Sequence, residues 1–508
     1  MIFLGARAPA QVVETRSCEI RLENSWTLAD VRAAVNRLAD MGINCVRVET
    51  FYHGSTIYTS PVMLRNGFPA IRSGFGPGPN ALRTVIDAAH ARGMTVYAWV
   101  ETFYVWNTAL GSGYGPILNK HPEWSIRNAD GTMLCRNAES AYYYISPANL
   151  EARAFLKDLY GEIANTGVDG MFVDYLRYPR GALGPSDPLS FDDASRQRAL
   201  SELGLDISQI PLIASNADFK TWTLWRQQQT TDAARELAAA VRAANPNVVF
   251  CGSLHPGYNA DWRTHDSLRD WPAWQPDVPA FSMQYYTSGA PPSSGDVLSQ
   301  ESQMDADLAA ASPRSLLWPD VKESDILYGM PLLNYARSQP FAGVSYWVYS
   351  ALSAADGAAL FAGPFHEPSL QGETMPVRAA RLLLTGALST LSESARGAAE
   401  SALALLSGPR IEAAQASALL SSLLAGSLPA GTRRDVGLAY RLLNLAPATR
   451  IRGDVDGDGF VTAADAVRIA RWTLTVAPAI SRDAADANDD GGVSPADAAA
   501  ALRIAAGL

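Results

Sequence analysis

Between about residues 16 and 350 the chain repeats one local order: an amphipathic helical pattern, a glycine, and a short apolar run. Residues 27–41 show it most clearly, because their apolar side chains recur at three- and four-residue intervals and Gly42 follows directly. The same order returns at 80–92 with Gly93 and at 150–166 with Gly167. Helices and strands that alternate in this way are typical of parallel βαβ units.

Eight strand-like runs occur in this region. They are residues 18–22, 43–49, 94–100, 169–174, 248–253, 280–285, 315–318 and 343–348. Eight parallel strands with intervening helices close into a barrel, so the sequence predicts an α/β fold of the (β/α)8 TIM-barrel type. Several connections that follow strands are long and rich in aromatic residues, and we therefore expect binding at the carboxyl ends of the strands.

The fourth strand ends in a polar cluster. Its apolar run, 170–173, stops at Asp174, and Tyr175, Arg177 and Pro179 follow. A barrel strand that ends in a carboxylate, an aromatic ring and a guanidinium delivers side chains to the catalytic face. We predict that Asp174 takes part in the chemistry. The alternative is that Asp174 caps the next element or pairs with Arg177.

Tryptophan is concentrated in the same region. Most of the 12 tryptophans lie between Trp99 and Trp347, many of them next to strand ends. Aromatic faces among carboxylates suit carbohydrate, whose C–H faces stack on rings while its hydroxyls need polar partners. For any single tryptophan the alternative is a packing role between the barrel and its helices.

Composition and charge argue against two kinds of partner. The 508 residues carry a net charge of -10 and no basic cluster, which argues against nucleic-acid binding. Apolar runs stay well short of the ~20 residues of a membrane span, so we expect none. The opening residues do not resemble a secretory leader. Cys45 and Cys251 lie in strand-like runs and are expected to be free, buried thiols.

The C-terminal part of the chain changes character twice. Residues 378–445 are dominated by Ala, Leu and Ser at helical spacing, which predicts an all-α helical spacer. After residue 453, oxygen ligands recur at alternate positions of two calcium loops, each followed by a helical pattern, at 463–474 and 495–506. The predicted ligands are Asp454, Asp456, Asp458, Phe460 through its carbonyl and Asp465, then Asp486, Asn488, Asp490, Gly492 through its carbonyl and Asp497.

This duplicated loop-helix unit, residues 453–508, resembles a type I dockerin. The resemblance implies two bound Ca²⁺ ions, a cohesin domain of a scaffold or cell-surface protein as the partner, and an extracellular or cell-surface location. In dockerins two positions at the end of each loop help to recognise the partner; here they are Ala463 and Ala464, then Pro495 and Ala496. Because the two pairs differ, we do not expect both faces to bind one cohesin equally.

Residues 14–350 resemble the glycosyl-hydrolase-like family ten. The motifs that carry the resemblance are Met-Gly-Ile-Asn-Cys-Val at 41–46, Arg-Gly-Met at 92–94 with Ala-Trp at 98–99, His-Pro-Glu-Trp at 121–124, Val-Asp-Gly at 168–170, Asp-Tyr at 174–175, Arg-Tyr-Pro at 177–179, Trp-Arg at 225–226 and Gln-Tyr at 284–285. The resemblance implies a glycosidase-type barrel that acts on polysaccharide, and no cofactor is expected in the barrel. Glu101 and Asp320 have no counterpart in the family pattern.

Glycoside cleavage ordinarily uses two carboxyl groups, one to protonate the leaving oxygen and one as nucleophile or base. Asp174 is the predicted nucleophile or charge stabiliser. Its partner should come from another strand end, where Glu49, Glu101 and Asp320 are available; we favour Glu101, whose aromatic neighbours would raise its pKa, over Asp320. A salt bridge to a nearby arginine is the alternative for each. The predicted substrate-binding residues are Glu49, Trp99, Tyr175, Arg177, His255, Tyr258, Gln284, Tyr285 and Trp347.

The sequence as a whole predicts a secreted glycoside hydrolase that cleaves O-glycosidic bonds in a polysaccharide or oligosaccharide and is attached by its dockerin to a cohesin-bearing scaffold. The expected division is a barrel at 1–370, a helical spacer at 371–450 and a dockerin at 451–508. One alternative is a non-catalytic carbohydrate-binding barrel displayed through the dockerin. Another is a barrel hydrolase that cleaves a different bond, such as an amide in a cell-wall polymer.

Overall fold

The computed structural model describes residues 12–136, 139–181, 189–265, 267–287, 292–322, 324–328, 330–367, 369–446, 449–474 and 480–507. The opening residues, in which no secretory leader was expected, lie outside this set. Within the described residues, none of the helices has the length and apolar character needed to cross a membrane. Cys45 and Cys251 are free, buried thiols, as expected, and Cys18 and Cys135 are also buried.

Eight parallel strands form a closed barrel. They are β1 (Thr15–Ile20), β2 (Cys45–Tyr52), β3 (Thr95–Glu101), β4 (Gly170–Asp174), β5 (Val249–Leu254), β6 (Ala280–Gln284), β7 (Leu316–Lys322) and β8 (Gly343–Trp347). Each strand pairs with its neighbours in chain order, and β1 also pairs with β8, which closes the sheet. The predicted (β/α)8 barrel is confirmed.

Three strands differ by three or more residues at one end from the sequence prediction, and one of them, β2, continues three residues further, to Tyr52. β1 begins at Thr15 because its polar side chains, Thr15, Ser17 and Glu19, face the barrel interior, where an apolar pattern is not required. β7 runs through Pro319 to Lys322, although a proline normally ends regular pairing. Asp320 therefore lies within a strand rather than after it.

Helices surround the barrel. They are α1 (Leu28–Asp40), α2 (Ala81–His90), α3 (Leu150–Ala164), α4 (Asp193–Leu203), α5 (Ala217–Ala244), α6 (Ser294–Ala310), α7 (Pro331–Ser338) and α8 (Ala354–Ala362), with shorter helices at Pro61–Arg65, Gly115–Lys120 and Ser324–Leu327. Gly42, which follows α1, has φ of +83°, a conformation that glycine adopts at little cost and that ends the helix. Short strands at Tyr104–Asn107 and Tyr142–Tyr144 pair in the long connection after β3.

The interior of the barrel is divided into an apolar lower part and a polar upper part. Because side chains alternate along a strand, β3 points Tyr97, Trp99 and Glu101 inward while Val96, Ala98 and Val100 face the helices. The lower interior side chains, which include Tyr97 and Phe172, share one hydrophobic cluster with the helices that follow the barrel. The carboxyl ends of the strands carry the polar residues.

The Ala- and Leu-rich segment folds into four helices: α9 (Pro376–Ala387), α10 (Glu393–Ser407), α11 (Ala413–Ala425) and α12 (Ala430–Leu443). These helices rest on the amino-terminal end of the barrel, with Met375, Val377 and Leu384 in the same cluster as the barrel floor. Glu373, just before α9, accepts a hydrogen bond from the Thr15 hydroxyl of β1. The predicted helical spacer thus closes the floor of the barrel.

The C-terminal segment consists of two loops that lead into α13 (Ala463–Thr473) and α14 (Pro495–Ala505). The two helices pack together around Ile469 and Ala501. A short helix at Arg482–Ala485 precedes the second loop. The carboxylate of Asp483 in this helix accepts hydrogen bonds from the backbone N–H groups of Val377 and Arg378, in the first turn of α9.

Candidate active site

The predicted carboxylates meet at the carboxyl end of the barrel. Glu101 and Asp174 end neighbouring strands and are register partners across the β3–β4 ladder. Glu49 lies on β2, on the other side of Glu101. Asp320 lies on β7 and is the register partner of Gln284 on β6. The sequence therefore identified four acidic groups that share the upper interior of one barrel.

Asp174 is the one of these four that lines an open cavity. Its side chain is 9% exposed and borders a cavity of about 180 Å³. One carboxylate oxygen accepts the backbone N–H of Tyr175 at 2.8 Å. Within the described residues no basic side chain forms an ion pair with Asp174, so the expected alternative of pairing with Arg177 is not observed there. An unpaired carboxylate at the mouth of a barrel is available to a substrate.

Glu101 lies deeper, with 1% of its surface exposed. One of its carboxylate oxygens accepts the backbone N–H of His53 at 3.1 Å. Burial, followed by the charge of Glu49, raises the pKa of Glu101 well above its ordinary value. Such surroundings favour the protonated form of the carboxyl group, which is the form required of a general acid.

Glu49 is held by an arginine that the sequence analysis did not select. The Arg21 guanidinium donates to Glu49 at 3.0 Å and lies over the ring of Trp99, 4.7 Å from its centroid. Burial raises the pKa of Glu49 to about 7 despite the opposing charge of Arg21. Trp99 is 1% exposed and lies within the barrel beneath these groups. Its indole thus supports Arg21.

Asp320 belongs to a second acidic pair. The Tyr286 hydroxyl donates to Asp320 at 2.9 Å, and the carboxyl groups of Asp320 and Glu19 lie close enough to influence each other's pKa. Burial raises the pKa of Asp320 to about 6, and burial followed by the Asp320 charge raises that of Glu19 well above its ordinary value. The two groups therefore favour a form in which they share a proton.

Arg47 crosses the interior below these carboxylates. Its Nη1 donates to the hydroxyls of Ser282 on β6 and Ser345 on β8, each at 2.9 Å, and lies 3.5 Å from Glu19. Glu19, Arg21 and Arg47 were missed as parts of the site. The alternation of polar residues in β1 and β2, at every second position, is the sequence signal that could have identified them.

A buried ion pair forms one wall of the cavity beside Asp174. Arg177 binds Glu139 through two hydrogen bonds, of 3.0 and 2.6 Å. Glu139 also accepts from the Tyr144 hydroxyl at 2.6 Å and from the Arg180 backbone N–H at 3.1 Å. Although burial alone would raise it, the Arg177 charge holds the pKa of Glu139 below its ordinary value. Glu139 stands in a long loop, with no spacing that points to a site.

Aromatic rings flank the carboxylates on both sides. Tyr175, with φ of +50°, packs against Tyr104 at 4.8 Å between ring centroids. Trp347 at the end of β8 stacks on Tyr286 at 5.7 Å and 27°. Since Tyr175 lines the cavity and Trp347 is partly exposed, both can offer a flat face to a ligand.

The remaining predicted substrate-binding residues divide into two groups. Gln284 and His255 line the cavity with Asp174. Tyr285 faces outward, where its hydroxyl donates to Asp307 of α6 at 2.8 Å. Tyr258 also lies away from the cavity, with its hydroxyl 3.2 Å from Asp270. His90, in α2, lies 2.8 Å from Asp169 and has the structural role expected for it.

The residues of both calcium loops fit the binding of a divalent cation. Carboxylate oxygens of Asp454, Asp456 and Asp458 lie within 4.8 Å of one another, and so do those of Asp486, Asp490 and Asp497. In the second loop one oxygen of Asp486 is buried without a hydrogen-bond partner among the described residues. Clustered carboxylates with an unsatisfied buried oxygen suit Ca²⁺, which takes six to eight oxygen ligands.

The other predicted ligands lie around the same loops. Asp465 is fully buried and accepts the N–H groups of Val455 and Thr462, at 2.9 and 2.8 Å. Asn488 lies beside Asp490, to which its amide donates at 2.9 Å. Phe460 and Gly492 would contribute backbone carbonyls, and the Phe460 ring itself is exposed. Asp465 therefore organises the first loop in this structure.

The closed barrel and its rim of carboxylates define the glycosidase-like class of TIM barrels. A family profile described as glycosyl hydrolase-like 10 matches residues 21–312, and a profile described as dockerin type I domain matches residues 452–501. Because the first match covers more than half of the chain, the protein belongs to the glycosyl hydrolase-like 10 family. Both resemblances inferred from the sequence are confirmed.

Curated relatives and solved structures are similar to parts of this chain. Glycosyl hydrolase DigH of Escherichia coli K12, and the same protein of Shigella flexneri, are 21% identical over 246 residues, which is 46% of this chain and 48% of theirs. The chain thus spans about half the length of the curated relatives it matches. The catalytic domain of a Paenibacillus polymyxa beta-amylase has a TM-score of 0.49 at 12% identity. The match covers 69% of this chain and 97% of that domain. A Marinomonas ef1 beta-galactosidase has a TM-score of 0.45 at 12% identity, and the match covers 68% of this chain and 58% of the beta-galactosidase.

Proposed function

We propose that the barrel is a glycoside hydrolase that cleaves O-glycosidic bonds in a polysaccharide or oligosaccharide. The observation that carries the proposal is the pairing of Asp174 with Glu101 at the ends of adjacent strands. Asp174 faces an open cavity without an ion-pair partner among the described residues, while burial and the charge of Glu49 raise the pKa of Glu101 and favour its protonated form. Two carboxyl groups in different protonation states are what glycoside cleavage requires.

In this mechanism Asp174 acts as the nucleophile or stabilises the developing positive charge on the sugar. Glu101 donates a proton to the leaving oxygen, and the His53 backbone N–H positions its carboxyl group. Asp320 is the second candidate for the acid because burial also raises its pKa. Tyr175 and Trp347 would hold sugar rings on either side, and Gln284 and His255 would contact hydroxyl groups.

The C-terminal residues support the second part of the proposal. We infer that the two loops bind Ca²⁺ and that the dockerin attaches the protein to a cohesin domain outside the cell. In the first loop Asp454, Asp456 and Asp458 would hold the ion, and in the second Asp486, Asp490 and Asp497. When bound, calcium would supply the positive charge that organises the loops.

We also propose the division into a barrel to about residue 370, a spacer to about 450, and the dockerin.

A polysaccharide screen that measures released reducing ends tests the hydrolase proposal. Asp174→Asn should abolish the release, because the amide cannot act as a nucleophile or carry the stabilising charge. Asp158→Asn is the matched control, since Asp158 lies on the surface of α3 in a solvent-exposed ion pair with Arg65. Full activity of Asp174→Asn on a substrate of the wild-type protein would disprove the assigned role.

A non-catalytic carbohydrate-binding barrel is the second candidate. The deep burial of Glu101 favours it, since that carboxyl group does not border the cavity that Asp174 lines. The two functions give opposite results with one polysaccharide. Binding without any reducing-end release by the wild-type protein supports the binding module, whereas release that Asp174→Asn removes supports the enzyme.

A further inference from the structure

The cavity beside Asp174 is strongly polar and contains an excess of basic groups. It has a volume of about 180 Å³ and lies at the carboxyl ends of β4, β5 and β6. Three arginines line it against two carboxylates: Arg177, Arg180 and Arg269, with Glu139 and Asp174. A neutral sugar hydroxyl does not require this charge pattern.

The charge of Arg177 is already balanced. Its guanidinium and the Glu139 carboxylate form a two-point ion pair in which both side chains are buried. Glu139 receives further hydrogen bonds from Tyr144 and from the Arg180 backbone, so its oxygens are satisfied. This pair forms a rigid wall of the cavity, and Arg269 is the buried arginine beside it that can act on a ligand.

Arg269 is the unusual member of the cavity. It is 8% exposed, and the hydrogen bond found for it runs from Nη1 to the Ser253 carbonyl at 2.8 Å. No carboxylate of the described residues lies within ion-pair distance of its guanidinium. Burial, followed by the nearby charge of Arg177, lowers the pKa of Arg269 to about 9, so the side chain remains charged at neutral pH. A buried cation with four further N–H donors is costly unless something binds it.

His255 does not supply a countercharge. It borders the same cavity, and burial followed by the charge of Arg269 lowers its pKa well below the ordinary value. The imidazole is therefore neutral in the working range of pH. Asp174 shares the cavity with Arg269 but lies beyond ion-pair distance of it, so an anion in direct contact with Arg269 would come with the ligand.

We propose that this cavity is a subsite for an anionic substituent of the sugar, in the first instance a carboxylate, which Arg269 binds beside the nucleophile Asp174. The proposal rests on the proposed function and specifies its substrate as an acidic glycan. The planar guanidinium matches a carboxylate with two parallel hydrogen bonds. The volume exceeds that of the ~150 Å³ cavity that holds benzene, so one substituted ring end fits. A sulfate ester offers the same charge and oxygen donors.

Binding of small probes to the full-length protein tests the subsite without hydrolysis. Glucuronate, its methyl ester and glucose 6-sulfate are titrated into the wild-type protein by ligand-observed NMR. Because a charged hydrogen bond is lost in the ester, glucuronate should bind about tenfold more tightly or better. Tighter binding of glucose 6-sulfate than of glucuronate would also support the subsite and would assign the substituent to a sulfate ester. Equal or undetectable binding of acid and ester would overturn the proposal.

Variants test whether the preference for the acidic probe depends on Arg269. Arg269→Gln should remove the preference for the acid, and Arg269→Lys should keep part of it because the charge remains without the planar fork. Arg83→Gln, in a half-exposed pair with Asp87 on α2, is the control and should behave as the wild type. Thermal unfolding of each variant identifies misfolded protein, and the wild-type comparison of acid and ester needs no variant. A folded Arg269→Gln protein that still prefers the acid would contradict the assignment.

The subsite and the hydrolase activity can be confirmed or rejected independently of each other. Selective binding of an acidic probe, with no hydrolysis in the polysaccharide screen, would keep the subsite and reject the hydrolase. Hydrolysis of neutral glycans, without any preference for the acidic probe, would keep the hydrolase and reject the subsite.

Discussion

The guanidinium of Arg482 donates a hydrogen bond of 3.0 Å to the carboxylate of Asp169. Arg482 directly precedes the second calcium loop, and Asp169 directly precedes β4, the strand that carries Asp174. Asp169 also accepts the backbone N–H of Val96 on β3 at 2.9 Å. The C-terminal segment is therefore bonded to the base of the two strands that end in Glu101 and Asp174.

Removal of calcium should destabilise the barrel as well as the dockerin. Without an ion, the carboxylates of the second loop repel one another and loosen the segment that contains Arg482 and Asp483. A loss of about 1–2 kcal/mol would lower the Tm by roughly 1–3 °C for a protein of this size. Tryptophan fluorescence, which reports mainly on the barrel, measures this in calcium and in chelator. Arg482→Gln should reduce the difference, and an unchanged barrel Tm in chelator would contradict the coupling.

Acid should weaken the protein through Asp169. Although burial alone would raise it, the charges of His90 and Arg482 hold the pKa of Asp169 at about 2, below its ordinary 3.8. A carboxylate with a lowered folded-state pKa contributes stability that is complete above about pH 4 and is lost as the pH falls toward 2. The contribution is about 2 kcal/mol. Denaturant unfolding between pH 2 and 5 should show it, and Asp169→Asn should flatten this part of the profile. If Asp169→Asn loses stability with falling pH as steeply as the wild type, the loss is caused by other groups.

Glu101 should control the alkaline limit of hydrolysis. Because burial and the charge of Glu49 raise the pKa of this acid, activity should fall as the pH rises through that elevated pKa. Glu101→Gln should lower kcat by about 10²–10⁴-fold, the range of general acid catalysis. The remaining activity should no longer decline at high pH. Asp320→Asn is the informative comparison, because the same change of profile in that variant would identify Asp320 as the acid.

The stereochemical result should be retention. Neighbouring strands lie about 4.7–4.9 Å apart, and Glu101 and Asp174 are register partners on such strands. Carboxyl groups that keep this strand spacing of about 5 Å would match the pair of retaining enzymes, whereas inverting enzymes need about 6.5–9.5 Å. Proton NMR of the first product formed should show the anomer of the substrate. Initial formation of the opposite anomer would point to Asp320, across the barrel, as the partner of Asp174.

Local patterns in the sequence were sufficient to predict that the helices and strands exist, but not all of their bounds. The helices α1 to α3 were predictable from their apolar spacing and from Gly42, Gly93 and Gly167, each of which has the positive φ that ends a helix. β1 was placed three residues too late because its inward side chains are polar. β7 was ended too early because Pro319 lies within it.

The candidate site was predictable only in part. Asp174, Glu101, Glu49 and Asp320 could be selected because each follows or ends an apolar run, which is a local property. Glu139 and Arg269 could not, since they lie in connections with no periodic pattern. Tyr285 was selected as the neighbour of Gln284, but adjacent residues of a strand point to opposite faces, and its hydroxyl binds Asp307 outside the barrel.

By itself the sequence determined the eight-stranded barrel, the helices after it and the two calcium loops, because periodicity and ligand spacing are properties of short stretches of chain. The tertiary structure alone decided that Glu139 neutralises Arg177 and leaves Arg269 facing the cavity, and that Arg482 binds Asp169. These contacts join residues far apart in the chain. They depend on how the strands are staggered around the barrel and how the helices pack on its floor, which no local pattern encodes.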